Sequence, residues 1–306
     1  MQTDHAEQRC FKGLPHPDDI AAREALAKRP KPPLQKVIQQ IEALRDAPII
    51  VAYGGGTNST AMLCGFRERG IRPSLILFAD TGGELPHTYE HLRVMSDKCQ
   101  EWFGLPIETV FKTYKGEQTS LEGDCLRNET LPSLAYGFKA CSMKYKVEPQ
   151  NKRVRKWMDE NGAKTVTKCI GYDFAEGHRG SAITTKDLGK GRMEHYWYPL
   201  IEWQWTRKEC VDAICRHGLP QAGKSSCFFC PAMKLREIMR LRDQSPEHYQ
   251  RAIALEENVK VKGPKEGLAF GVKWSEIVKA DDSQLKLFDW IDKHDPHHMP
   301  CGCYDG

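Results

Sequence analysis

No apolar run in this 306-residue sequence approaches the ~20 residues that a membrane-spanning helix needs, so a helical membrane protein is excluded. The first twenty-one residues are studded with charge and lack the apolar stretch of a secretory signal, and a cytoplasmic location is the expectation. Internal repeats and low-complexity tracts are absent, which removes solenoids and linker-like proteins. A strong charge imbalance is missing too. The net charge of +4 favours anionic ligands without supplying the basic stripe of a dedicated DNA binder. Cysteine, by contrast, is plentiful: twelve residues, which in a reducing compartment point to metal or redox chemistry rather than to disulfides.

With 40% hydrophobic and 28% charged residues the chain reads as globular and well solvated. Three stretches are expected: a polar lead-in with a helix (1–46), a main α/β unit (47–231) and a helical region ending in a cysteine-bearing tail (232–306). The lead-in helix is read over 34–47, where Leu34, Val37, Ile38, Ile41 and Leu44 recur at three and four residues. From Pro48 strands and helices alternate: strands at 49–53, 74–79, 107–111 and 164–170, helices at 58–69, 86–103, 143–161 and 206–217. That punctuation predicts a parallel sheet with right-handed crossovers. The stretches 112–140 and 171–192 read as loops, the first as a lid, and two helices are expected at 235–242 and 246–261.

Tyr53-Gly54-Gly55-Gly56-Thr57-Asn58-Ser59-Thr60 joins the first strand to a helix. Each glycine costs roughly 0.5–1 kcal/mol against alanine in regular structure, so three in a row imply that backbone comes close to something. Amides at the start of a helix favour an anion, and the hydroxyls of Ser59 and Thr60 add donors for phosphate oxygens. The bland reading is a tight turn with Thr57 or Asn58 as helix cap. A Walker loop is excluded, because the Gly-Lys-Ser/Thr ending is missing. The string resembles the Ser-Gly-Gly-x-Asp-Ser pyrophosphate (PP) loop of the adenine-nucleotide α-hydrolases. Gly54 stands where that family usually has serine and Asn58 where it has aspartate, which removes a magnesium contact.

Three further strings carry a narrower resemblance. Asp80-Thr81-Gly82-Gly83-Glu84-Leu85-Pro86-His87-Thr88 is similar to the Asp-Thr-Gly-x-x-x-Pro-x-Thr segment of the phosphoadenosine-phosphosulfate (PAPS) reductases; helix capping by Asp80, Thr81 and Glu84 is its plainer explanation. Cys141-Ser142-Met143-Lys144-Tyr145-Lys146-Val147-Glu148-Pro149 resembles their Cys-Cys-x-x-Arg-Lys-Val-Glu-Pro string, with Ser142 replacing the second cysteine. The segment 171–179 resembles the family's Gly-x-Arg-x-x-Glu-x-x-Arg loop. The resemblance runs from about Ile49 to Pro231, in order. It implies a Rossmann-like parallel-sheet fold and an adenine nucleotide, ATP or a sulfonucleotide (PAPS or its unphosphorylated relative APS), held at Gly54–Thr60 and at Asp80, Thr81, Gly82 and Glu84. Lys144, Lys146 and Arg179 are the cations it places at the anionic end.

Cys227-Phe228-Phe229-Cys230 has the spacing with which two thiolates grip one metal. By resemblance Cys141 joins them as a third ligand of a 4Fe-4S cluster, with Cys125, Cys301 or Cys303 as the fourth or that iron left open; zinc is the competing reading. Cys10, Cys64, Cys99, Cys169, Cys210 and Cys215 read as core or incidental. The ending Cys301-Gly302-Cys303 is similar to the reductases' C-terminal Glu-Cys-Gly-x-His, which makes Cys301 either a tail nucleophile or a metal ligand. Two enzyme versions follow from the resemblance. In a reductase, Cys301 attacks the sulfonucleotide and a thioredoxin-like partner releases sulfite. In a sulfurtransferase, ATP activates an acceptor, which can be a nucleic acid, and a cysteine desulfurase is the expected sulfur source. The alternative from another class is a non-catalytic nucleotide or nucleic-acid binder with a structural zinc.

Overall fold

The computed structural model describes residues 47–138, 140–177, 185–260, 267–269 and 271–283. The expected lead-in helix at 34–47 (but for Ala47), Arg179 and the tail with Cys301 and Cys303 lie outside the described residues.

A six-stranded sheet organises the rest, in the order β3-β2-β1-β6-β8-β7. Its strands are β1 (Ile49–Tyr53), β2 (Leu75–Asp80), β3 (Glu108–Phe111), β6 (Thr165–Ile170), β8 (Arg192–Trp197) and β7 (Thr185–Gly189); β4 (Thr113–Tyr114) and β5 (Glu117–Gln118) form a separate hairpin. The first five are mutually parallel and β7 runs antiparallel along the β8 edge. The α/β parallel-sheet fold expected from the sequence is therefore present, with one antiparallel edge strand added.

Alternation along β1 explains the layers. Val51 and Tyr53 face α1 (Thr57–Glu68), α2 (Pro86–Phe103) and α5 (Arg207–Arg216), packing with Met62, Leu63, Phe66, Met95, Cys99, Cys210 and Ile214. Ile50 turns to the opposite face, where Leu77, Val110 and Val166 meet Val154 and Met158 of α4 (Glu148–Glu160). Strands covered on both sides need apolar residues in unbroken succession, which is why Ile-Ile-Val-Ala-Tyr carries no polar position. One charge pair is sealed between these layers. Lys168 on β6 and Glu194 on β8 are both fully buried, 3.9 Å apart. Asn151 Oδ1 accepts from Lys168 Nζ at 3.1 Å, and Tyr196 donates to Glu194 at 2.7 Å.

A second core lies around the cysteine pair. Phe228 and Phe229 pack with Leu121 and Cys125 of α3 (Leu121–Arg127) and with Ile238, Leu241, Tyr249, Leu255, Trp274 and Val278 of α6 (Leu235–Gln244), α7 (Pro246–Glu257) and α8 (Trp274–Ser283). Each such buried side chain contributes roughly 1.5–3 kcal/mol. Glu256 caps α8 from within this core, accepting from the amides of Leu268 (2.8 Å) and Trp274 (3.0 Å).

Three expectations need correction here. The stretch 112–140 is not an irregular lid: it holds the β4–β5 hairpin, α3 and a 3-10 turn at Ser133–Tyr136, and Leu121, Cys125, Leu131 and Ala135 are buried in the second core. The stretch expected as loop over 171–192 contains β7, and β8 follows where no strand was expected. Helix α8 was not foreseen either.

Candidate functional site at the sheet's carboxyl edge

β1 feeds β2 and then β3 on one side, while β6 joins β1 on the other, so the sheet order reverses between β1 and β6. Ligands in open α/β sheets sit in the crevice that such a reversal leaves at the strands' carboxyl ends. Gly54, Gly55 and Gly56 leave β1 at this point.

Gly55 takes φ +78°, and a Cβ there would stand 3.0 Å from Thr88 Cγ2. Gly56 is the N-cap of α1, in extended conformation and without any side-chain cap. The bland reading of the loop, a helix capped by Thr57 or Asn58, is thereby removed: both lie inside the helix, and among the described residues no side chain caps the first-turn amides. Gly56 is half-buried while its neighbours on both sides are buried, so the loop opens at the helix start.

The side chains that follow are committed inward. Thr57 donates to the carbonyl of Ala222 (3.2 Å). Ser59 Oγ accepts from Gly54 N and donates to Gly56 O, both at 3.2 Å, holding the loop's two ends together. Thr60, expected among the phosphate donors, points its hydroxyl into the core at Tyr53 (3.1 Å) and His91 Nε2 (3.0 Å). What the loop presents at its mouth is backbone.

Asp80 closes β2. Its Oδ1 accepts from Gly82 N (2.7 Å) and Tyr89 Oη (2.9 Å), and burial together with this carboxylate pushes the Tyr89 phenol upward. Both glycines of the turn are explained by neighbours, since a Cβ on Gly82 would stand 2.5 Å from Ser120 Cβ and one on Gly83 2.5 Å from a ring carbon of Phe229. The cysteine turn is zipped onto this segment: Phe228 N donates to Gly83 O (2.8 Å), Leu85 N to Ser226 O (3.2 Å), and Glu84 bridges Cys227 as a strand-like pair.

The two lysines part company. Residues Met143–Val147 form a π-helical segment, a rare form that collects at functional sites. It sends Lys144 outward into solvent and Lys146 inward, where Lys146 Nζ pairs with Glu84 Oε1 at 3.2 Å; the side chains are 6% and 0% exposed. Lys146, expected at an oxyanion, already has a carboxylate.

Cys227 shares a hydrogen bond with Thr81 Oγ1 (3.1 Å), and its thiol is pushed well above the ordinary range by burial and then by Glu84. Cys125 is pushed up to about 12, chiefly by burial. Cys141 lies close enough to act electrostatically on both. No three His, Cys, Asp or Glu side chains among the described residues gather so as to hold a metal ion; Cys301 and Cys303, also expected as ligands, lie outside those residues.

Several further residues join the site, two of them inside the 171–179 segment and the others outside every motif. Ser225 Oγ donates to Gly54 O, tying the segment before the cysteines to the glycine loop. Asp173 and Glu176 form a capping box at the Phe174–Glu176 turn and hold Asn58, with Arg207. The Asp-x-x-Glu spacing was a readable signal for that turn; nothing in the local sequence pointed to Ser225.

No family model matches the sequence. An uncharacterized protein of Methanocaldococcus jannaschii is 23% identical over 215 residues, 67% of this chain; the chain spans about 40% of that relative's length. Among solved structures, a PAPS reductase from Candida auris in a phosphate complex covers 70% of this chain and 96% of its own, at 16% identity and TM-score 0.39. The U34-tRNA thiolase NcsA from Methanococcus maripaludis, with its 4Fe-4S cluster, covers 86% of each chain, at 14% identity and TM-score 0.37. Among the described residues no helix is long and apolar enough to cross a membrane.

One titration at this site is open to measurement. Burial, then the neighbouring His87, holds His91 down to about 4 from 6.5. Between those values the unfolded chain takes up a proton that the fold refuses, so His91 favours the fold fully above pH ~6.5. That contribution is lost as pH falls towards 4, about 3 kcal/mol in all. His91→Gln is expected to flatten the stability–pH curve over that window, and an NMR titration of the His91 ring should show no midpoint near 6.5.

Proposed function

We propose that this protein is an enzyme of the PP-loop, PAPS reductase-like class that binds an adenine nucleotide at Gly54–Gly56 and carries out chemistry at sulfur, by sulfonucleotide reduction or ATP-dependent sulfur transfer. The observation that carries the reading is the uncapped start of α1 at the point where the sheet order reverses. Backbone N–H groups and the helix dipole supply the partial positive charge that a diphosphate-like group needs.

Asp80 stands at the neighbouring strand end, fixed by Gly82 and Tyr89. Cys227 lies one turn away, its thiol held by Thr81, which shares the motif with Asp80. Ser225 Oγ ties the segment that carries Cys227 to Gly54, and Thr81 ties Cys227 to the Asp80 motif, which supports a reading that puts nucleotide and sulfur in one region. Arg179, Cys301 and Cys303 enter this reading only through the sequence resemblance, as the oxyanion clamp and the tail thiols.

Calorimetry with ATP, PAPS and APS on the intact chain tests the nucleotide site. Binding of at least one, and its loss in Gly55→Ala, is the expected result; no uptake of any of the three would end the reading. Anaerobic purification addresses the metal separately, because iron with acid-labile sulfide supports a cluster and one zinc per chain supports a structural ion. Unchanged sulfite release from PAPS by Cys301→Ser would remove the tail nucleophile.

A further inference from the structure

Asn58 stands on the first turn of α1, nearly buried, and every polar atom of its side chain is in use. Nδ2 donates one hydrogen to Asp173 Oδ2 (3.1 Å) and the other to Glu176 Oε2 (2.9 Å), while Oδ1 accepts from Arg207 Nη1 (3.0 Å). An amide has two donor hydrogens and one carbonyl, and this one is turned the only way that suits two carboxylates on one side and a guanidinium on the other.

The carboxylates belong to a segment pressed against the same helix. Gly171 packs so closely that a Cβ there would meet Ser59 N and Cα at 2.9 Å. Asp173 Oδ1 accepts from Glu176 N (3.1 Å) and Glu176 Oε2 from Asp173 N (3.4 Å), while Phe174 N donates to Trp205 O (2.8 Å) just before α5. Asn58 is the side chain at which the nucleotide helix, this segment and α5 meet.

We infer that Asn58 is a positioning residue: its neutral amide clamps 171–177 and Arg207 to the glycine loop, and its side chain does not contact nucleotide or metal. This rests on the glycine loop being the nucleotide site. The family's usual aspartate at this position would here set three carboxylates around one guanidinium and remove both donor hydrogens. The asparagine is therefore matched to Asp173 and Glu176. Asparagine at 173 retains a capping oxygen and offers an amide to a carboxylate at 58, which gains an ion pair with Arg207, so the swap restores the charge count and the 58–173 contact, while Glu176, 2.9 Å from Asn58 Nδ2, stays without its donor.

The test is a cycle of Asn58→Asp, Asp173→Asn and the double variant, with ATP affinity measured by calorimetry, with and without Mg²⁺, and thermal midpoints recorded beside it. Asn58→Asp is expected to weaken ATP at least tenfold and to lower the midpoint. The double variant should recover a clear part of the affinity and of the midpoint lost in Asn58→Asp, a rescue that a merely space-filling role would not produce. ATP binding by Asn58→Asp as tight as the parent's, or tighter with Mg²⁺, overturns the inference, as does a double variant no better than the single or insoluble like it. A soluble double variant where the single one aggregates supports it. If the parent binds none of ATP, PAPS and APS, the nucleotide reading fails on its own account, and the midpoints of the cycle still decide whether the clamp works by charge matching.

Discussion

Adding one methyl group at position 171 is expected to cost the protein about 1–3 kcal/mol of stability and most of its nucleotide affinity. An alanine Cβ there would lie 2.9 Å from both N and Cα of Ser59 and 3.1 Å from the carbonyl carbon of Asn58. All three are backbone atoms of the helix start, so no side-chain rotation relieves the clash. Either the 171–177 segment backs away or the first turn of α1 moves, and the second displaces the amides that face the ligand. A shift of order 1 Å at a positioned group is enough to cost about two powers of ten in a rate or constant that depends on it. Gly171→Ala is thus expected to raise the ATP dissociation constant more than tenfold, read by calorimetry, and to lower the urea midpoint. Gly56→Ala is the contrast. Its Cβ would find Ser225 Cβ at an ordinary 3.6 Å, and the residue has an extended backbone, so the fold should tolerate it. Wild-type affinity in Gly171→Ala would show that the helix start does not set the binding geometry.

The same position shows how far the sequence could be read. The alternation of Ile-Ile-Val-Ala-Tyr, glycines and a helix announced β1, the loop and α1, because a doubly covered strand and a helix opening each impose a local pattern. Helix α2 matched its expected bounds, since Pro86 and Gly104 punctuate both ends. The edge strand β7 and its inner neighbour β8 are not legible because Thr-Lys-Asp-Leu-Gly and Arg-Met-Glu-His-Tyr-Trp intersperse polar residues and are only partly buried, so neither shows a continuous apolar run. α3 escaped because seven residues are too few to display a helical period. The glycine loop was legible as a place where backbone meets an anion; the fate of its side chains was not. Asn58 answers to residues 115, 118 and 149 positions away, and Ser225 reaches Gly54 across 171. Such contacts leave no periodic trace. They are decided by which loops the sheet order brings together.

Lys146 presents the same problem in its sharpest form, because the sequence offers a lysine on a helix and the structure makes it half of a sealed ion pair. Removing its charge is expected to be among the most damaging single changes in the molecule. In Lys146→Met the Glu84 carboxylate, 0% exposed, loses the ammonium 3.2 Å away, and a stranded buried charge of this kind costs about 3–5 kcal/mol. Little among the described residues can take over: Thr81 Oγ1 donates to Glu84 Oε1 at 3.3 Å, while Oε2 finds no hydrogen-bond partner among them. Glu84→Gln is expected to cost stability as well, because the Lys146 ammonium loses the carboxylate 3.2 Å away. The double variant Glu84→Gln/Lys146→Met should cost clearly less than the sum of the two, because no unpaired charge is left behind. Urea denaturation of the four proteins reads this directly, and additivity within about 0.5 kcal/mol would mean that the pair carries no coupling. The pair also joins the turn that bridges Cys227 to the π-helical segment that follows Cys141. Its loss should therefore free the two thiols from each other's neighbourhood, and alkylation of Cys227 by iodoacetamide is expected to be faster in Lys146→Met than in the parent under conditions where both remain folded.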